Sequence, residues 1–131
     1  MHSLEPVPAI RRLGTSRPGL AAFDIVGHVS PADVENLFGL LEAAYALEPS
    51  VDIVLRLIEI DGVDWHEVAA DTISDGKEHA ARHVRRCAIV GNRHGRTAAR
   101  GFFLEVEPVE FREFELEEEG MAWAWVDGLP L

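Results

Sequence analysis

Residues 51–60 read VDIVLRLIEI, an alternation with no consistently polar face. In an extended chain successive side chains point to opposite sides. Val51, Ile53, Leu55 and Leu57 therefore point one way, and Val54, Ile58 and Ile60 the other. A strand that is apolar on both sides belongs inside a sheet covered on both sides, as in α/β proteins. The DGVD that follows, residues 61–64, has the composition of a turn.

A second short apolar run, CAIVG at residues 87–91, has the same buried character. Between the two, residues 65–83 are expected to form a helix whose inner face is Ala69, Ile73, Gly76 and Ala80, continuing to Val84. Upstream, Ser30 can cap a helix, Pro31 suits its first position and Asp33 suits the positive end of its dipole. Val34, Leu37, Phe38, Leu41 and Tyr45 recur at steps of three and four, which makes one apolar stripe. Pro49 should stop that helix near Leu47.

Residues 7–13 and 20–29 read as strands joined by the turn-forming GTSRPG, a hairpin. After CAIVG, Asn92 can cap a helix over 93–103. Residues 109–116, VEFREFEL, read as a last strand. Its apolar positions change parity between Phe111 and Phe114, the mark of a bulge or an edge. MAWAWV, residues 121–126, closes with a short helix. Strands alternating with helices imply right-handed crossovers. The expected fold is a single α/β domain over residues 7–129, after a short tail at 1–6. It has a mostly parallel sheet of about five strands, an antiparallel N-terminal hairpin edge and about four helices.

The composition agrees. The 131 residues are 47% hydrophobic and 27% charged, ordinary for a globular domain. A net charge of −11 argues against a nucleic-acid binder. One cysteine, Cys87, permits no intrachain disulfide and suits a reducing compartment. No signal-like segment and no run of the roughly 18–20 apolar residues needed for a membrane span is visible, so a cytoplasmic protein is expected.

The order of these pieces resembles the SpoIIAA-like proteins, STAS-type domains related in fold to CRAL-TRIO lipid-binding domains. The carriers are GHVSPAD (27–33), the apolar strand ending in DGVDW (61–65), GKEH with RRCAIVGN (within 76–92), and PVEFREFEL with AWAWV (108–126). The resemblance implies a small open sheet packed with helices and no catalytic constellation. It implies either a regulatory switch on a phosphorylated serine or a held apolar ligand. The switch uses an Asp followed by a hydroxyl residue after the central strand. Asp64 stands at the Asp position, but Trp65 and His66 stand where hydroxyls would be. Thr72 and Ser74 lie further into the helix.

The side chains that bear chemistry are few. His79 and His83 are spaced for one ion on a helix face, but no third ligand accompanies them, and they read as exposed helix histidines. No metal and no cofactor is expected. His66 and Glu67 beside Asp61 and Asp64 resemble acid–base machinery, but acidic turns at strand ends are common without catalysis, and no catalytic residue is assigned. Cys87 reads as a small core residue.

Charge is segregated. Residues 82–100 hold six arginines and no acid, while residues 104–120 hold eight glutamates against Arg112. Such blocks pair within a fold or across copies. Arg93, His94 and Arg96 open a helix at the carboxyl end of the sheet, where α/β proteins gather ligands. Trp65, Phe102 and Phe103 flank the same edge. The expected ligand site is therefore Trp65, His66, Arg93, Arg96, Phe102 and Phe103, an arginine-rimmed apolar surface suited to a small apolar or amphiphilic molecule with an anionic head. Trp123 and Trp125 cannot share one helix face. One should pack on the core and the other is free to meet a partner, so the alternative reading is an interaction module, without the phosphoserine switch, acting as a homodimer or binding a regulatory partner.

Overall fold

The computed structural model describes residues 9–99 and 106–131. The strands are β1 (Ile10–Leu13), β2 (Leu20–Val29), β3 (Val51–Val63), β4 (Val84–Val90) and β5 (Glu110–Phe114). The helices are α1 (Pro31–Leu47), α2 (Ala70–His83), α3 (Arg93–Ala99) and α4 (Glu119–Trp125). The strands lie in one sheet in their chain order, β1 antiparallel to β2 and the remaining neighbours parallel. This is the expected α/β domain.

Each parallel connection steps one strand in the same direction, and right-handed crossovers then place their helices on one face. Val34, Leu37 and Leu41 of α1, Ala80 of α2 and Ala99 of α3 accordingly share a core with Phe23, Ile53, Leu55, Cys87 and Ile89. On the other face, Ala122, Trp123 and Val126 pack with Leu20, Ala22, Val54, Ala88, Val90 and Phe114. β3 is the middle strand, covered by helices on both sides; Val54 faces the α4 side as expected, but Ile60 joins Leu57 in the first core, because the left-handed backbone at Glu59 (φ 49°) breaks the alternation. Cover on both sides also explains the parity change in β5. Phe111 packs toward the first core and Phe114 toward the second.

α1 starts as its sequence predicts. Asp33 N donates to Ser30 Oγ at 3.2 Å and Ser30 N donates to Asp33 Oδ2 at 2.9 Å, a reciprocal capping box.

Several boundaries differ from the sequence reading, each for a tertiary reason. β3 runs on to Val63 because, beyond a bulge at Gly27 (φ 72°), His28 and Val29 pair with Gly62 and Val63. Turn chemistry at 61–64 yields to a neighbouring strand. α2 begins at Ala70, and Trp65–Glu67 form a 3-10 turn instead. Asp64 would be the natural cap for a helix starting at Trp65, but its carboxylate is taken by His28. Ala69, placed on the inner face by its spacing, is exposed, and Val84 belongs to β4. β4 starts three residues early because Arg85 finds a partner in β3 and Arg86 one in α4. Arg85 Nη2 donates to Asp52 at 2.6 Å and Arg86 Nη1 to the Trp125 carbonyl at 2.8 Å. The last strand is shorter than 109–116, since Leu116–Glu118 form a 3-10 turn leading into α4. Residues 7–8 of the first predicted strand and 100–103 of the third predicted helix lie outside the described residues.

The charge blocks meet within the fold. Arg96 reaches Glu115 at 2.5 Å and Glu113 at 3.6 Å, and Arg86 reaches Glu110 at 3.4 Å. The chain's last residues close on the β1–β2 loop, where Ser16 N donates to the Leu129 carbonyl and Leu131 N to that of Gly14.

Candidate functional site: the carboxyl rim of the sheet

β2, β3 and β4 are parallel neighbours, so the segments that leave them emerge at one end of the sheet. The tryptophan-bearing turn after β3 and the arginine-bearing helix after β4 are consequently side by side. Trp65 Nε1 donates to the Ala98 carbonyl of α3 at 3.1 Å. Asn92 Oδ1 accepts from Gly95 N at 2.7 Å and holds the first turn of α3. A Cβ on Gly95 would stand 3.5 Å from Leu57 Cβ and 3.7 Å from Ile60 Cβ, so α3 rests directly on the end of β3.

The predicted site residues do not behave alike. Trp65 is half-buried against α3. Arg93 and His66 are exposed. Arg96 is largely covered; its Nε donates to the Gly91 carbonyl at 3.0 Å and its remaining nitrogens serve Glu113 and Glu115. Phe102 and Phe103 lie outside the described residues.

The rim also holds a constellation that the sequence reading missed. His28, at the end of β2, stands between two carboxylates of the neighbouring segment, with Nδ1 3.0 Å from Asp61 Oδ1 and Nε2 2.8 Å from Asp64 Oδ1. The hydrogen bond to Asp64 foremost, then that to Asp61, raises the pKa of the ring above its ordinary 6.5. The protonated ring donates from both nitrogens. Parallel register was the signal available: the last residue pairs of β2 and β3 must meet at this end.

Elsewhere, Cys87 is fully buried, and that burial pushes its thiol pKa up, which leaves it un-ionised and unreactive. Burial likewise raises the pKa of Tyr45. On the α4 face, the buried Asp24 lies 2.9 Å from Arg56 Nε. Trp123 is buried. Trp125 is half-buried, tilted against Phe114 at 6.0 Å with the Arg86 guanidinium 5.7 Å from its ring, so neither tryptophan stands free. Among the described residues no group of three or more His, Cys, Asp or Glu side chains could hold a metal ion, and no helix is long and apolar enough to cross a membrane.

Comparison with known proteins bears on the fold and the family. No curated protein matches the chain. Among solved structures, the chain is similar to an uncharacterized protein of the DUF3478 family, with a SpoIIAA-like fold, from Shewanella loihica PV-4. The two share 25% identity at a TM-score of 0.63, over 95% of this chain and 99% of that one. The family model described as SpoIIAA-like matches residues 20–127, which span every parallel strand, all four helices and the whole rim. The chain belongs to the SpoIIAA-like family.

Proposed function

We propose that residues 7–129 form a non-enzymatic binding or regulatory domain of the cytoplasm, one that holds a small apolar or amphiphilic ligand at the carboxyl rim. One observation carries the non-enzymatic part. His28, a histidine on the rim, shares both ring nitrogens with Asp61 and Asp64, so neither is left to take a substrate proton. The ligand part rests on Trp65, half-buried beside α3, and on the exposed cation of Arg93 at the start of that helix. His66, Arg96, Phe102 and Phe103 complete the proposed contact surface. Arg96 acts there through its pairs with Glu113 and Glu115 rather than as a free cation. Kinship with CRAL-TRIO lipid binders, implied by the resemblance, favours an apolar tail.

Native mass spectrometry of the mildly extracted protein tests this. The expected result is a population heavier than the bare chain by one small molecule, together with quenching of tryptophan emission when dodecyl phosphate is added. A uniformly bare chain whose emission is unmoved by dodecyl phosphate overturns the reading.

The alternative, an interaction module acting as a homodimer, is favoured by two half-exposed apolar side chains, Leu116 in the 3-10 turn before α4 and Met121 in α4 itself. Light scattering at rising concentration checks it: a dimer that Met121→Lys converts to a monomer supports this reading, and a monomer throughout removes it.

A further inference from the structure

The contact between α1 and α2 carries a feature independent of the rim. His79 and His83 sit one helical turn apart on α2, on the same face. Each ring is oriented by an acceptor behind it. His79 Nδ1 meets the Glu42 carboxylate of α1, and His83 Nδ1 lies 3.1 Å from the Pro49 carbonyl oxygen. A carbonyl oxygen only accepts, and an ionised carboxylate likewise, so both Nδ1 atoms carry the hydrogen. In the neutral ring the lone pair then belongs to Nε2. The Tyr45 ring stacks on His83 with centroids 4.7 Å apart and planes 12° from parallel, which restrains rotation of that imidazole. Among the described residues neither Nε2 has a hydrogen-bonding or charged partner.

A carboxylate or backbone carbonyl on the far nitrogen is the arrangement that fixes the tautomer of ligating histidines and raises their basicity. Imidazole pairs suit nickel, copper and zinc rather than magnesium or calcium, which require oxygen. We propose that His79 and His83 form an open two-histidine site for a divalent transition ion, with Glu42 and the Pro49 carbonyl as its orienting groups. Two protein ligands leave the other coordination positions to water, so the ion is exchangeable and open to a further donor.

Titration of the intact protein with Ni²⁺ alone, and separately with Zn²⁺ alone, tests the site. Calorimetry is expected to show binding that weakens at least about tenfold in His79→Ala and in His83→Ala. Glu42→Gln should lose about tenfold, the lower end of the range for an orienting group. His94→Ala should leave affinity unchanged. Because an alanine in α2 can loosen the helix, the unsubstituted protein supplies a second readout: Ni²⁺ should broaden the ring resonances of His79 and His83 before those of the other histidines. No binding, binding unaltered in the His79→Ala/His83→Ala double variant, or first broadening at another histidine overturns the proposal. Ca²⁺ binding to the same residues would also overturn it.

Discussion

Arg17, in the loop between β1 and β2, donates a 2.5 Å hydrogen bond from Nη2 to Asp52 Oδ2 in β3. Asp52 is 2% exposed and also accepts from Arg85 Nε at 3.0 Å and Nη2 at 2.6 Å. Arg17 meanwhile donates to the carbonyls of Val126 and Asp127. One buried carboxylate therefore gathers the hairpin loop, β4 and the turn after α4.

Replacing Asp52 should loosen all three. Asp52→Asn is expected to cost about 1.5–3 kcal/mol, the range for hydrogen bonds to charged groups. Burial alone would raise the pKa of Asp52, but the hydrogen bonds from Arg85 and Arg17 outweigh it and hold that pKa below the ordinary carboxylate value. A carboxyl group depressed in the folded state stabilises fully above its unfolded pKa, and that stability is lost as pH falls through the folded pKa. Urea melts from neutral to strongly acid pH should show a steeper loss in the unsubstituted protein than in Asp52→Asn.

His28 works with the opposite sign. Its folded pKa is raised above 6.5, so its contribution is complete below that value and disappears as pH rises through the folded pKa. Proton NMR of the His28 ring should give a titration midpoint above 6.5. The difference in melting temperature between the protein and His28→Asn should shrink toward alkaline pH. A ring that titrates at or below 6.5 would mean that the two aspartates do not hold it in solution.

Gly91, just past β4, lies directly against Leu57 of β3. A Cβ there would stand 2.9 Å from Leu57 Cβ, an atom too near its own backbone to swing away. Gly91→Ala should destabilise by about 1–3 kcal/mol, as overpacking does. Gly39, exposed within α1, is the control, since a Cβ there meets nothing within 4 Å. Gly39→Ala should stabilise by up to about 1 kcal/mol through helix propensity. Urea titrations of the two variants read both signs.

Trp65→Phe keeps an aromatic ring, smaller than the indole, and removes the donor to Ala98. The expected cost is about 0.5–1.5 kcal/mol, the net worth of one hydrogen bond. Amide exchange in α3 should quicken while exchange in α1 stays unchanged. Equal acceleration in both helices would show that Trp65 supports the whole core rather than the rim.

Much of this architecture is legible in residue order. The two-sided apolar pattern of 51–60, the Ser30-Pro31 start of α1 and the alternation of strand and helix are local signals, and the sheet follows from them. They also place Trp65 and α3 at one end, because parallel strands share their exits. Two of the misplaced boundaries, the end of β3 and the start of α2, share one cause. Asp61 and Asp64 carry turn and cap chemistry that the chain spends instead on His28, a residue more than thirty positions upstream.

Hydrophobic period and helix-capping residues act over a few positions and are readable from the chain alone: fold class, the α1 boundaries, the identity of the central strand and the family likeness. Which polar groups find each other is a matter of contacts far apart in sequence. Folding alone settled that Arg96 is neutralised by Glu113 and Glu115, that Asp52 is shared by two arginines, and that His79 and His83 are backed by acceptors from α1 and the segment after it. A buried or crowded charge takes whichever partner the register brings within about 3 Å, because leaving it unpaired costs several kcal/mol. Spacing along the chain carries no record of that choice.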